Sequence, residues 1–138
     1  MATMTAAERR ADARDAYDAF LKECPTSQLL ARISDKWVSL VVSALGAEER
    51  MRYSDLGRRI PGVSQKMLTQ TLRSLERDGI VARSVTASVP VRVDYELTAL
   101  GRSLSALLSA VKDWAENHFD EVHEARHRYD AAALAAGA

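Results

Sequence analysis

One cysteine, Cys24, is the only one in 138 residues, so no disulfide within the chain can hold it together. Paired cysteines of the metal-binding or redox type are missing with it, as is any glycine-rich phosphate loop. The chain also lacks a nucleophile set beside a plausible base, which argues against an enzyme. No secretory order of charged, apolar and small residues opens the sequence, and no apolar run has the length that spans a bilayer. These absences predict a protein of a reducing, cytoplasmic compartment with no membrane contact, held together by its own core without metal or cofactor. Net charge is missing as well, with 19 basic side chains against 19 acidic, which taken alone disfavours a nucleic-acid partner.

The balance conceals a segregation. From Arg50 to Arg92 there are nine basic side chains against three acidic, whereas from Lys112 onward there are three basic against six acidic. A local cationic surface on a neutral protein attracts phosphates over about 8 to 10 Å at ordinary salt. Within that segment, Ser64 to Asp78 reads as one helix with two faces. On a helical wheel Leu72 and Leu75 fall within about 40° of Leu68, a stripe that faces a core. Lys66, Thr69, Gln70, Arg73 and Arg77 lie opposite with no acid among them. Ser64 caps the start, Pro61-Gly62-Val63 blocks entry from upstream, and Gly79 ends the helix. A shorter helix, Ser54 to Ile60, precedes the Pro-Gly turn, so residues 54–78 read as helix, tight turn, helix.

The rest of the chain follows in order. Residues 5–22 carry Ala13, Tyr17, Phe20 and Leu21 at helical spacing. Pro25 interrupts, and Thr26 or Ser27 caps a short helix through Ile33. Ser34 or Asp35 caps a third, Lys36 to Leu45, before Gly46, with Trp37 in the core. Arg52-Tyr53 reads as a brief extended link. Over residues 80–97 the period shifts to two, and Ser88-Val89-Pro90 breaks the run, which predicts a β-hairpin wing. Thr98 caps a last helix over residues 98–129, with the alanine-rich end beyond Tyr129 frayed. The fold class predicted is mainly α with a small β-hairpin wing: a single winged helix-turn-helix domain with long terminal helices. Leu107, Val111, Trp114 and Phe119 exceed what one winged domain can cover. With Tyr17 and Phe20 they predict a homodimer through the first and last helices.

The second helix of such a motif enters the major groove. Gln65 and Gln70 suit two-pronged pairing with adenine and Arg73 with guanine, while Lys66 and Thr69 can read a base or hold a phosphate. Ser54, Arg58 and Arg59 open and line the preceding helix and Ser64 starts the second, and a helix start and cations both suit phosphates. Arg83 and Arg92, either side of the hairpin tip, suit the minor groove or its phosphates. Glu116, Asp120, His123 and His127 share a helix face, yet amid so much charge they read as a solvated stripe and not a metal site. A second reading of the same fold is an interaction module that binds another protein through its wing and long helices.

The ordered run Cys24-Pro25, Ile33-Ser34-Asp35-Lys36-Trp37, Arg52-Tyr53-Ser54-Asp55-Leu56, Ile60 to Leu72, Leu75 to Val81 and Tyr95 to Arg102 resembles the HxlR-type bacterial transcription regulators, a winged-helix group related to the MarR family. Asp35 stands where that family usually has glycine, and both terminal helices are longer than typical. The resemblance implies a homodimeric regulator, read here as a repressor, that binds double-stranded DNA at an inverted-repeat operator and answers to an oxidant or a small molecule. Members of the family sense oxidants through a cysteine in the region of Cys24, so the resemblance implies a redox role there. At a helix start with Lys22 nearby, the thiolate is favoured, and Glu23 opposes it.

Overall fold

In a computed structural model, which describes residues 2–137, six helices and three short strands are built around one core. The helices are α1 (Ala6–Glu23), α2 (Pro25–Ile33), α3 (Lys36–Ala47), α4 (Tyr53–Arg59), α5 (Gln65–Arg77) and α6 (Ala99–Gly137). The strands are β1 (Met51–Arg52), β2 (Val81–Thr86) and β3 (Arg92–Leu97), antiparallel in the order β1-β3-β2. The hairpin register pairs Val81 with Leu97 at its base and Thr86 with Arg92 at its outer end. The wing is therefore a three-stranded sheet, with Met51 and Arg52 paired to Tyr95 and Asp94.

The apolar stripes converge as their periodicity requires. Val41, Val42 and Leu45 of α3 meet Leu56 of α4 and Leu68, Leu72 and Leu75 of α5, all fully buried. Trp37 and Tyr53 are half-buried and pack on the outside of this cluster. Caps fix the ends. Ser64 Oγ accepts from the Met67 N–H at 3.1 Å, Asp35 accepts from Trp37 at 2.9 Å, and Gly79 takes φ 74° where α5 stops.

Four boundaries differ from the sequence reading. Pro25 begins α2 instead of merely interrupting, which makes Cys24 its N-cap. Tyr53 belongs to α4 and not to the link, because Met51 and Arg52 pair with β3. Gly46 lies inside α3 and not beyond it. A Cβ there would sit 2.3 Å from Ser105 Oγ, so this glycine permits close approach of α6 and does not end the helix. Finally, α6 does not fray after Tyr129 but continues to Gly137, consistent with the high helix propensity of its alanines.

At 39 residues α6 is about 58 Å long. Its first turns touch the core through Leu104 and Leu108, and Gly101 is its one buried residue. Further along, Leu107, Val111, Trp114 and Phe119 are exposed, as are Tyr17 and Phe20 of α1. Helix α1 has no buried residue and packs mainly on α2.

Candidate nucleic-acid interface

The Pro-Gly turn sets α5 across α4, and burial of Leu68, Leu72 and Leu75 turns its opposite side outward. Gln65, Lys66, Gln70 and Arg73 are exposed along that side. Neither Lys66 nor Arg73 is ion-paired among the described residues. Ser64, at the head of the helix, is exposed and keeps its hydroxyl proton free while it caps. Thr69 differs from its neighbours: it is half-buried, and its hydroxyl lies 2.9 Å from that of Tyr53.

The flanking cations are tied. Arg58 pairs with Asp55, and Arg59 with Glu48 at 2.9 Å. Ser54 is exposed in the first turn of α4 but does not cap it. On the wing, Arg83 lies opposite Tyr95 and reaches back to Glu76 of α5 at 3.6 Å. Arg92 is at the outer end of the ladder, yet its Nε donates to the buried Asp94 at 2.9 Å. The tip itself is apolar, with Val85, Val89 and Val91 exposed. Arg83 thus ties the wing to α5 and Arg92 pairs within its own strand, and neither crowns the tip. Local spacing gave no hint of the Glu76 pair, which comes from a neighbouring helix, whereas Asp94, two residues along the same strand, shares a face with Arg92 by the alternation of β3 itself.

Three residues that the sequence reading left out belong to this surface. Tyr53 and Tyr95 line, with Thr69, Arg73, Glu76 and Arg83, a small cleft between α5 and the wing. Their rings lie 6.5 Å apart, inclined at 49°. Burial pushes the Tyr95 phenol above its usual pKa, and the nearby Arg83 charge partly opposes this. Arg52 is exposed where α4 meets the wing, beside Ser54 and Arg92. The signal available was the pairing potential of Met51-Arg52, too short a run to stand out as a strand.

Away from this face, Arg32 of α2 donates to Ser74 Oγ and pairs with Asp78 at 2.6 Å, which fastens α2 to the end of α5. Cys24 is a free, half-buried thiol at the α2 N-terminus, and the backbone amides of Ser27 and then Thr26 hold its pKa below the ordinary thiol value. Among the described residues no group of three His, Cys, Asp or Glu side chains is placed to hold a metal ion, Glu116, Asp120, His123 and His127 included. His118 and His123 stack instead on Trp114 and Phe119, with ring centroids 4.9 and 5.3 Å apart. Among the described residues no helix is long and apolar enough to cross a membrane.

Comparison with known proteins accords with this geometry. Residues 32–123 match the HxlR-like helix-turn-helix family. The HTH-type transcriptional regulator YtfH of Escherichia coli (strain K12) is 42% identical over 103 residues, 75% of this chain and 81% of that protein. The solved structure of the ytfH regulator from Salmonella typhimurium, 38% identical, superposes with a TM-score of 0.67 over 77% of this chain and 94% of that one. The reduced form of the redox regulator HypR, 35% identical, also reaches a TM-score of 0.67, over 72% of this chain and 98% of that one. The chain belongs to the HxlR-like helix-turn-helix family of transcriptional regulators.

Proposed function

We propose that this protein is a homodimeric, sequence-specific DNA-binding repressor whose α5 reads the major groove of an inverted-repeat operator. The observation that carries the reading is the outer side of α5. Gln65, Lys66, Gln70 and Arg73 stand exposed there, and Lys66 and Arg73 are free of carboxylate partners among the described residues. Amides and a guanidinium in such a row match the donor and acceptor edges of adenine and guanine, and the ammonium suits a phosphate. Ser54, Ser64, Arg58 and Arg59 flank the row as phosphate contacts, and Arg83 and Arg92 hold the wing beside it. A second copy supplies the partner for Tyr17, Phe20, Leu107, Val111, Trp114 and Phe119, all exposed in one chain.

Selection of bound duplexes from a random pool tests the reading. Enrichment of an inverted repeat is the expected result. Binding without preference at any salt would favour instead a module that engages another protein.

Cys24 is the proposed entry point for an oxidant. Its thiolate is favoured by two helix-terminal amides, and the similar HypR is named a redox regulator. Peroxide would convert the thiolate to sulfenic acid, which a second thiol closes to a disulfide. With one cysteine per chain, that thiol comes from the partner protomer or from a small thiol in solution. A Cys24→Ser protein should keep its operator under oxidant, and release equal to that of the parent would remove this role.

A further inference from the structure

The hydroxyl of Tyr53 has a role that neither the family match nor the readout face assigns. Tyr53 opens α4, its ring half-buried against the core and tilted on Tyr95. Its oxygen leaves the core and meets α5 at two points one turn apart, the Gln65 carbonyl at 3.0 Å and Thr69 Oγ1 at 2.9 Å. A phenol has one proton, and a carbonyl can only accept. The Tyr53 proton therefore goes to Gln65, and the Thr69 hydroxyl must donate to Tyr53 for both bonds to form. Thr69 has then used its one donor inside the protein.

From this geometry we infer that Tyr53 is a positioning residue for the recognition helix, and that Thr69 is its anchor and not a reader of bases. The inference rests on the DNA-binding reading above. The buried leucine stripe of α5 sets which side of the helix faces outward, but dispersion contacts carry less directional preference than hydrogen bonds and fix the roll less finely. A hydrogen-bonded tether at Gln65 and Thr69 fixes it more closely. Arg73 lies four residues beyond Thr69 on the same side of the helix, so the azimuth fixed at Thr69 is the azimuth of Arg73. At a side-chain radius of about 6 Å, a roll of about 10° displaces a guanidinium by about 1 Å, enough to spoil a two-pronged contact with guanine. Phosphate contacts, which accept a wider range of geometry, survive such a shift.

Tyr53→Phe keeps the ring and removes the tether, and Thr69→Val keeps the volume and removes the anchor. Each full-length variant is titrated by fluorescence anisotropy against a duplex selected from the random pool and against random duplex of equal length, with Arg73→Ala beside them. Tyr53→Phe should weaken selected-duplex binding about five- to tenfold and random binding less than about twofold, as one or two lost hydrogen bonds imply. Thr69→Val should lose no more than Tyr53→Phe, and the double variant should match Tyr53→Phe, because both act through one tether. Three results would overturn the inference: unchanged discrimination in Tyr53→Phe, an equal loss on both duplexes, or additive losses with Thr69→Val altering preference at a single base pair. If Arg73→Ala keeps full discrimination too, the DNA-reading assignment of α5 has failed. If only Tyr53→Phe keeps it, the tether alone has failed.

Discussion

Arg73 and Arg58 are both exposed arginines near the same surface, yet they should fail in different ways. Arg73 has no carboxylate partner among the described residues, so it can meet a base edge without giving up an internal ion pair. Truncation to alanine should then remove the whole of a two-pronged guanine contact, about 1 to 3 kcal/mol, or roughly 5- to 150-fold on the operator. Preference should relax at one symmetric position in each half-site, and random DNA should be bound nearly as before. Arg58 is held by Asp55 in an open pair whose side chains are 73% and 45% exposed, a pair worth about 0.2 to 1 kcal/mol. Reaching a phosphate means leaving that carboxylate, so the net affinity Arg58 adds is the smaller of the two. Its loss should weaken all sequences alike and flatten the slope of log affinity against log salt by about 0.9 per contact, about two per dimer. Anisotropy titrations on operator and random duplex over a series of salt concentrations separate the two signatures. Equal losses of the two variants on both duplexes would refute the placement of α5 in the major groove.

Other parts of the structure make their own predictions. Trp114→Asp puts a charge into the exposed apolar row of α6 and should dissociate the dimer and weaken operator binding, as followed by light scattering and anisotropy; a variant that stays dimeric would show that this row is not the interface. Gly101→Ala would place a Cβ 2.1 Å from the Ile80 carbonyl oxygen, where backbone cannot yield, and should cost about 1 to 3 kcal/mol in thermal or urea unfolding. Tyr95 has a raised pKa in the folded chain, so its neutral phenol contributes stability that is complete below about pH 10 and is lost as pH rises through the folded value. Tyr95→Phe should flatten that alkaline loss in urea titrations, and an unchanged profile would rule out Tyr95 as its source.

How much of this was legible in the sequence depended on the range of the interaction. Helix α5 was readable because everything that defines it is local: the leucine period, Ser64 as cap, Pro61 before and Gly79 after. The hairpin was readable from its alternating β-branched residues. Strand β1 was not, because Met51 and Arg52 become a strand only by pairing with Tyr95 and Asp94, more than 40 residues away. Gly46 read as a terminator for the same reason, since the neighbour that approaches it is Ser105 of α6. The candidate site divides along the same line. Exposure of Lys66, Gln70 and Arg73 follows from the wheel, whereas Gln65, about 60° from Leu68 on that wheel, is exposed as the first residue of α5. The Tyr53 tether on Thr69 and the ion pair of Arg83 with Glu76 arise from the packing of α4, α5 and the wing, to which periodicity is blind, whereas the Arg92 pair with Asp94 is local to β3.

The central claim, that two copies of α5 read two half-sites about 34 Å apart in successive major grooves, is tested most directly by spacing. Anisotropy would compare the selected inverted repeat with the same repeat carrying five extra base pairs between its halves, about half a helical turn. The account predicts that the insertion lowers binding to the level of random DNA, because one half-site now faces away from the dimer. Undiminished binding to the lengthened repeat would contradict it.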